Sequence, residues 1–281
     1  MTLSRAGYLA EVLALVEPLA DTETVGVAAA SGRTLAAPVT SRGPVPAFAN
    51  SAMDGFAVRH AYLAPGVVLR VVADVPAGSD ADPAIGACMA VRIMTGAPVP
   101  SDADTIVPVE LTSEAPGGVR IDEVPPLGAH VRGAGEDLAA DAEVLAAGAV
   151  LDPAALSLVA AAGRTEVRVV RRPRVAIAAT GDELRPPGST LGRGQIYESN
   201  ATFLAAAAAR DGAQVTASVV LPDDPDAFAA GLDALAADAD LVVLSGGVSV
   251  GDHDVVRIVL GRGEAAQRGT HEQLVADHRR Q

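Results

Sequence analysis

Strand and helix patterns alternate along the second half of the chain, and this alternation restricts the fold more than any other feature of the sequence. Short apolar runs at 175–179, 214–220 and 241–244 have the length of buried strands. Helical patterns at 200–210 and 225–237 separate these runs. The order predicts a parallel sheet with helices over both faces. In such sheets, ligands bind beyond the carboxyl ends of the strands.

Acidic or glycine-rich residues follow each of the three predicted strands. They are Thr-Gly-Asp-Glu at 180–183, Asp223-Asp224, and Ser-Gly-Gly-Val-Ser-Val-Gly-Asp-His-Asp at 245–254. Taken singly, an acid here is explained by a helix cap and the glycine loop by a tight turn. Together the carboxylates would converge on one crevice and repel each other. A Mg²⁺ ion that bridges to substrate phosphates would relieve that repulsion, and the glycine loop would hold the phosphates.

The first half of the chain has the pattern of a β-rich insertion between helical segments. Residues 4–20 and the first part of 24–41 look helical, with Ser4 as a suitable N-cap. Residues 142–171 return to helix, with Asp152 as the cap. Between them, Gly, Pro and Asp separate strand candidates of a small barrel or sandwich, which are 67–72, 89–94, 105–109 and 119–121.

The charge of the chain argues against one class of partner. Among 281 residues, all 21 basic ones are arginine and 35 are acidic, which gives a formal net charge of −14. A nucleic-acid partner requires a positive surface, whereas a small anion needs only backbone N–H groups and a few arginines. Cys88 is the single cysteine, and the five histidines lack zinc-ligand spacing. Because no signal-like or membrane-length segment is present, we expect a cytoplasmic protein.

Three further segments combine polar residues with small ones. They are Asn-Ser-Ala-Met-Asp-Gly-Phe-Ala-Val at 50–58, Arg-Ile-Met-Thr-Gly-Ala-Pro-Val-Pro at 92–100, and Arg132 with Gly135-Glu136-Asp137. Each one alone is explained by an ordinary turn next to a strand. Their chemistry therefore cannot be deduced from local pattern.

Taken together, these segments resemble the MoeA family, the molybdopterin molybdenumtransferases, which also occur as one domain of gephyrin. The resemblance extends from about residue 5 to about residue 260. It also includes Pro46-Ala47-Phe48-Ala49 before the first segment and Gly-Gln-Ile-Tyr-Glu-Ser-Asn at 194–200. It implies a multidomain α/β fold: a helical linker domain with an inserted β domain, then a three-layer α/β/α molybdopterin-binding domain that is incomplete at its C-terminus. The domains expected are 1–42 with 142–172, 43–141 and 173–260, followed by an atypical tail at 261–281.

The resemblance also implies an activity. Such proteins insert molybdate into adenylyl-molybdopterin and release molybdenum cofactor and AMP, with Mg²⁺ assisting. The family forms homodimers, and a molybdopterin adenylyltransferase is an expected partner. The active cleft would lie between the α/β domain of one subunit and the β domain of the other.

Residue roles carry over by motif. The catalytic residues implied are Asp54, Thr95, Asp137, Glu183, Asp223 and Asp254. Glu183, Asp223 and Asp254 would also be the metal ligands. The residues implied to bind the pterin or its phosphates are Thr180, Gly181, Asp182, Ser245, Gly246, Gly247, Ser249 and Gly251.

The end of the chain departs from the family pattern. After Leu260 the family continues with a lysine-containing segment and a further β domain, whereas this sequence ends at Gln281 and has no lysine. We therefore expect a truncated or frame-shifted C-terminus. A non-catalytic molybdopterin-binding or scaffold protein is the alternative. A nucleotide-processing enzyme with the same α/β domain fits less well, because it leaves the first half of the chain unexplained.

Overall fold

The structure, a computed structural model, describes residues 4–246 and 254–262. These residues form two compact units. The α/β unit contains the described residues up to Glu23 and from Val169 onward, and the β unit is Thr24–Arg168. The three-domain division from the sequence stays a prediction. No helix within the described ranges has the length and hydrophobicity that a bilayer span requires.

Side-chain caps mark where the helices begin. Ser4 Oγ accepts the N–H of Gly7 at 3.1 Å, and Asp152 Oδ1 accepts that of Ala155 at 2.8 Å, so both predicted caps are confirmed. The first helix ends at Leu13, short of the predicted residue 20. Pro18 disfavours helical backbone at Glu17, so helix was not to be expected through that position. The helices are α1 (Arg5–Leu13), α2 (Pro153–Ala161), α3 (Asn200–Arg210), α4 (Pro225–Ala237) and α5 (Val255–Arg262).

The strands group into one six-stranded sheet, one three-stranded sheet and several two-stranded pairs. In chain order they are β1 (Thr22–Gly26), β2 (Val39–Thr40), β3 (Asn50–Ser51), β4 (Gly55–Val58), β5 (Val68–Val75), β6 (Met89–Ile93), β7 (Thr105–Pro108), β8 (Thr112–Ala115), β9 (Gly118–Ile121), β10 (Val131–Arg132), β11 (Glu143–Leu145), β12 (Glu166–Val170), β13 (Arg174–Thr180), β14 (Leu184–Arg185), β15 (Ile196–Tyr197), β16 (Gln214–Leu221) and β17 (Leu241–Ser245).

The six-stranded sheet is the centre of the β unit. Its order is β7-β4-β6-β5-β9-β8, with β5 and β6 parallel and the other neighbours antiparallel. Adjacent residues of β4, Ala57 and Val58, belong to two different buried clusters. Since neighbouring strand residues point to opposite faces, the sheet is covered on both sides. The four predicted strands of this region are confirmed.

The segments that flank this sheet contain more strand than the sequence predicted. The residues after Thr24, expected to be helical, continue β1 and then form a 3-10 turn at Val27–Ala29. Within 142–171, only α2 is an α-helix. The cause is long-range pairing: β1 pairs with β12, and β2 pairs with β11. Local alanine content favours helix by a few tenths of a kcal/mol per residue, roughly, and tertiary pairing overrides it.

The α/β unit has the predicted three layers. Parallel strands lie in the order β16-β13-β17, with β13 in the centre. Ile177 of β13 packs in a cluster with Ala201 of α3, whereas its neighbour Ala178 packs with Phe228 of α4 and Val255 of α5. Helices therefore cover both faces. Because the strands are parallel, Thr180, Leu221 and Ser245 end them on the same edge.

A group of ion pairs joins the N-terminal ends of β13 and β17, opposite to the ends just described. Asp240 Oδ2 accepts from Arg171 Nη1 at 2.6 Å and from the Arg174 N–H at 2.7 Å. Arg171 also contacts Asp21, with Nε 3.0 Å from Oδ2. The Arg171 side chain, and then the Arg174 N–H, hold the pKa of Asp240 well below its usual range. The charged form of Asp240 is therefore favoured by the fold.

We expect Asp240→Asn to weaken the chain at neutral pH and to flatten its acid sensitivity. A depressed carboxyl pKa contributes stability above the unfolded value of about 3.9, and this stability is lost as the pH falls below it. Between pH 7 and pH 3, the free energy of unfolding measured in urea should fall less for the variant than for the wild type. Asp211→Asn is the control, because Asp211 pairs with Arg210, its neighbour in the chain, and both side chains are largely exposed. Equal acid sensitivity of wild type and Asp240→Asn would contradict the assignment.

Candidate functional site

Asp54 of the β unit is held by a single residue from a distant turn. Its Oδ1 accepts the Thr95 N–H at 2.7 Å and the Thr95 hydroxyl at 2.8 Å. These two bonds, the backbone one first, lower the pKa of Asp54, and Arg92 adds a smaller effect in the same direction. Asp54 is exposed. It is therefore an ionised, solvent-facing carboxylate with a fixed orientation.

Strand β3 brings the three polar segments of the β unit together. Its residue pairs with β10 are Asn50 with Arg132 and Ser51 with Val131. On its other side, the Ser51 N–H donates at 3.0 Å to the carbonyl oxygen of Ala97, two residues after Thr95. The segments at 50–58, 92–100 and 132–137, which the sequence showed only as separate turns, thus meet along two residues of strand.

Asp137, the third predicted catalytic residue of this unit, pairs with Arg132. Arg132 Nη2 lies 2.7 Å from Asp137 Oδ1 and 2.6 Å from Oδ2. The turn that carries Asp137 is fixed by backbone bonds from Gly135 to Pro46 and from Asp137 to Val45, both 2.9 Å. Arg132 was missing from the predicted site residues, although it stands in the same motif, five residues before Asp137.

A second carboxylate of the β unit is also held by one N–H and one hydroxyl of a single residue. Asp82 Oδ1 accepts the Ser101 N–H at 2.8 Å, and its Oδ2 accepts the Ser101 hydroxyl at 2.8 Å. These bonds lower the pKa of Asp82 as well. Paired hydrogen bonds of this kind are thus also an ordinary way to fix a loop. What distinguishes Asp54 is that it follows β3, the strand that pairs with Val131 and Arg132 of β10.

The carboxyl ends of β13 and β16 are joined by polar contacts in the α/β unit. The Thr180 hydroxyl donates to Asp223 Oδ1 at 2.6 Å, and the Asp182 N–H donates to Asp223 Oδ2 at 3.0 Å. The Asp223 N–H returns a bond to Asp182 Oδ1 at 3.4 Å. The structure therefore brings together three residues that the sequence placed at two separate strand ends.

Two glycines at this edge have a positive φ that favours glycine, and Gly246 also lies close to the backbone of β13. Gly181 has φ +151°, and a Cβ there would lie 2.5 Å from Glu183 Oε2. Gly246 has φ +107°, and a Cβ there would lie 3.0 Å from the Thr180 carbonyl oxygen. Glycine thus lets Glu183 fold over residue 181 and lets the residue after Ser245 approach β13.

The remaining predicted site residues are Asp254 and three residues of the glycine loop. Asp254 is buried, and its Oδ1 accepts the Arg257 N–H at 3.2 Å in the first turn of α5. Gly247, Ser249 and Gly251 lie outside the described residues. Within residues 4–246 and 254–262, no group of three acidic, histidine or cysteine side chains is arranged to hold a metal ion. Carboxylate oxygens suit Mg²⁺ chemically, but the three predicted ligands do not form such a group here.

Comparison with known protein families shows the family to which the chain belongs. The family described as the MoeA N-terminal region (domain I and II) matches residues 3–163, which is more than half of the sequence. The chain belongs to the MoeA family. A second family, described as "Probable molybdopterin binding domain", matches residues 176–279. The β-unit and α/β-unit groups described above fall in these two matches respectively.

Individual MoeA relatives agree with the family assignment. Molybdopterin molybdenumtransferase 2 of Mycobacterium tuberculosis is 43% identical over 258 residues, covering 90% of this chain and 63% of that protein. Molybdopterin molybdenumtransferase of Nostoc sp. is 41% identical, covering 85% and 56%. The molybdopterin biosynthesis MoeA protein of Pyrococcus horikosii superposes with a TM-score of 0.75 at 29% identity, covering 92% and 66%. The chain thus spans about three fifths of the length of these curated relatives.

Proposed function

We propose that this protein acts in molybdenum cofactor biosynthesis, inserting molybdate into adenylyl-molybdopterin and releasing molybdenum cofactor and AMP. The observation that carries the proposal is the ionised Asp54, fixed against Thr95 in the unit that also contains the paired Arg132 and Asp137. Relatives named molybdopterin molybdenumtransferase support it. The protein is proposed to be a transferase.

The chemistry that these residues offer follows from charge. Both proposed substrates are anions, so a carboxylate cannot bind them directly. Asp54 and Asp223, each in its own unit, are instead suited to orient polar hydrogens of water or substrate through hydrogen bonds to an ionised carboxylate. Within the β unit, Arg132 supplies positive charge. Within the α/β unit, Thr180 and the Asp182 N–H fix Asp223, and the glycine loop at 245–251 is the proposed phosphate-binding segment.

Magnesium, dimer formation and location belong to the same proposal. Mg²⁺ would supply charge neutralisation for the phosphates, with Glu183, Asp223 and Asp254 as its proposed contacts. The described residues contain no three-ligand metal group. A homodimer in the cytoplasm, working with a molybdopterin adenylyltransferase, is the proposed setting.

We expect the purified chain to release AMP from adenylyl-molybdopterin only when molybdate is added. Chromatography of the nucleotide measures AMP, and activation of a cofactor-free molybdoenzyme measures the second product. Omitting molybdate is the control, because simple hydrolysis of the phosphate link would continue without it. Tight binding of adenylyl-molybdopterin without molybdate-dependent AMP would contradict the proposal and would support a non-catalytic binding protein.

A further inference from the structure

Ser51 lies where the three segments of the β-unit site meet. Its N–H donates to the Ala97 carbonyl oxygen at 3.0 Å, and its own carbonyl oxygen accepts the Gly96 N–H at 2.8 Å. On the opposite side of β3 it pairs with Val131. Its relative exposure is 1%. A hydroxyl this buried must find its hydrogen-bond partners within the protein.

The Ser51 hydroxyl finds both partners in Met53. Its Oγ donates to the Met53 carbonyl oxygen at 2.6 Å and accepts the Met53 N–H at 3.4 Å. Together these contacts close a serine turn over residues 51–53, immediately before Asp54. The turn therefore fixes the direction in which the chain leaves β3, and with it the place at which the Asp54 carboxylate arrives.

We infer that Ser51 is a positioning residue whose hydroxyl holds the turn that sets the Asp54 carboxylate against Thr95. For its effect on the reaction, this inference rests on the proposed function. Asp54 Oδ1 accepts both Thr95 bonds, at 2.7 and 2.8 Å, so a small displacement of the turn lengthens both at once. A misplacement of roughly 1 Å costs about a hundredfold in rate where a group must be aligned with a substrate.

The test is Ser51→Ala, which leaves the Met53 carbonyl oxygen without its donor. We expect kcat for molybdate-dependent AMP release to fall about tenfold to a hundredfold. The KM for adenylyl-molybdopterin should change less than about twofold, because a residue that does not touch the substrate adds no uniform binding. Carboxyl NMR titration gives a readout that needs no activity: the pKa of Asp54 should rise toward its ordinary value as the Thr95 bonds weaken.

Ser41→Ala is the matched control. Ser41 is also fully buried, and its hydroxyl donates at 2.5 Å to the carbonyl oxygen of Gly43, again two residues ahead in the β unit. Removing this hydroxyl deletes the same kind of bond, so a similar loss of thermal stability is expected. The kcat and the Asp54 pKa should stay at their wild-type values.

The outcomes separate the two proposals. Wild-type kcat together with an unshifted Asp54 pKa in Ser51→Ala would overturn the positioning role, and so would equal changes in Ser41→Ala. If Ser51→Ala fails to fold, Ser51→Cys replaces the hydroxyl by a slightly larger thiol that hydrogen-bonds more weakly, and it is judged by the same criteria. If the wild-type chain shows no molybdate-dependent AMP release, the proposed function fails, while the Asp54 titration still decides the role of Ser51.

Discussion

Asp54→Ala is expected to reduce molybdate-dependent AMP release by about a hundredfold, the range that loss of a correctly oriented group produces. The variant removes an ionised carboxylate and leaves the hydroxyl and N–H of Thr95 facing solvent. Because Asp54 is exposed and stands outside the buried clusters, the sheet itself should remain intact. Single-turnover measurement of AMP release with saturating substrate reports the chemical step directly.

Asp82→Ala serves as the control for Asp54→Ala. Asp82 is an exposed carboxylate of the same unit, and it likewise accepts one N–H and one hydroxyl from a single residue, Ser101. The two variants should lose thermal stability to a similar degree. If Asp54→Ala kept wild-type AMP release, or if Asp82→Ala lost it equally, the catalytic role of Asp54 would be refuted.

The second large effect expected is structural, at the glycine that follows Asp54. Gly55 lies in β4 between β6 and β7, and a Cβ there would be 2.2 Å from the Val107 carbonyl oxygen. The clashing atom belongs to the backbone of a neighbouring strand, so it cannot turn aside as a side chain would. We expect Gly55→Ala to lower the free energy of unfolding by about 3 kcal/mol, as overpacking of a well-packed core does.

Differential scanning calorimetry measures this effect as a lower melting temperature, by about 10 °C for a unit of this size. Gly43→Ala is the matched control, because nothing lies within 4 Å of the Cβ position there and no left-handed φ is involved. A melting temperature unchanged by Gly55→Ala would mean that β7 does not approach β4 as closely as described. AMP release should fall with stability, since Asp54 precedes the displaced strand.

The α/β unit was predictable because its elements pack in chain order. The runs at 175–179, 214–220 and 241–244 became β13, β16 and β17 with bounds shifted by one residue or less at each end, and the helices between them matched as well. Parallel strands carry their C-terminal residues to one edge, so the neighbourhood of Thr180 and Asp223 followed from topology alone. The exact hydrogen bonds did not, since they depend on side-chain rotamers.

The β unit was predictable in its strands but not in their pairing. Asp54 meets Thr95 because β4 and β6 are antiparallel with Gly55 opposite Ile93, a register that no local pattern contains. Family resemblance named both residues without giving their contact. Arg132 and Ser51 were overlooked because an arginine beside glycines and a serine before a turn are common in any surface loop. The strands β1 and β12 were missed because they pair with each other across a long stretch of chain, which no local pattern reveals.

The division of the α/β unit into two stretches of chain has a consequence for synthesis. Asp21 leaves the ribosome before all of Thr24–Arg168, whereas Arg171, its ion-pair partner, is translated after it. Domains generally fold as they emerge. The β unit can therefore complete its six-stranded sheet before the rest of the α/β unit has been translated. Helix α1 has only nine residues, none of them buried, and a helix so short is marginal by itself in water. We therefore expect the N-terminal stretch to remain open to proteases and chaperones on the nascent chain until Arg171 has emerged.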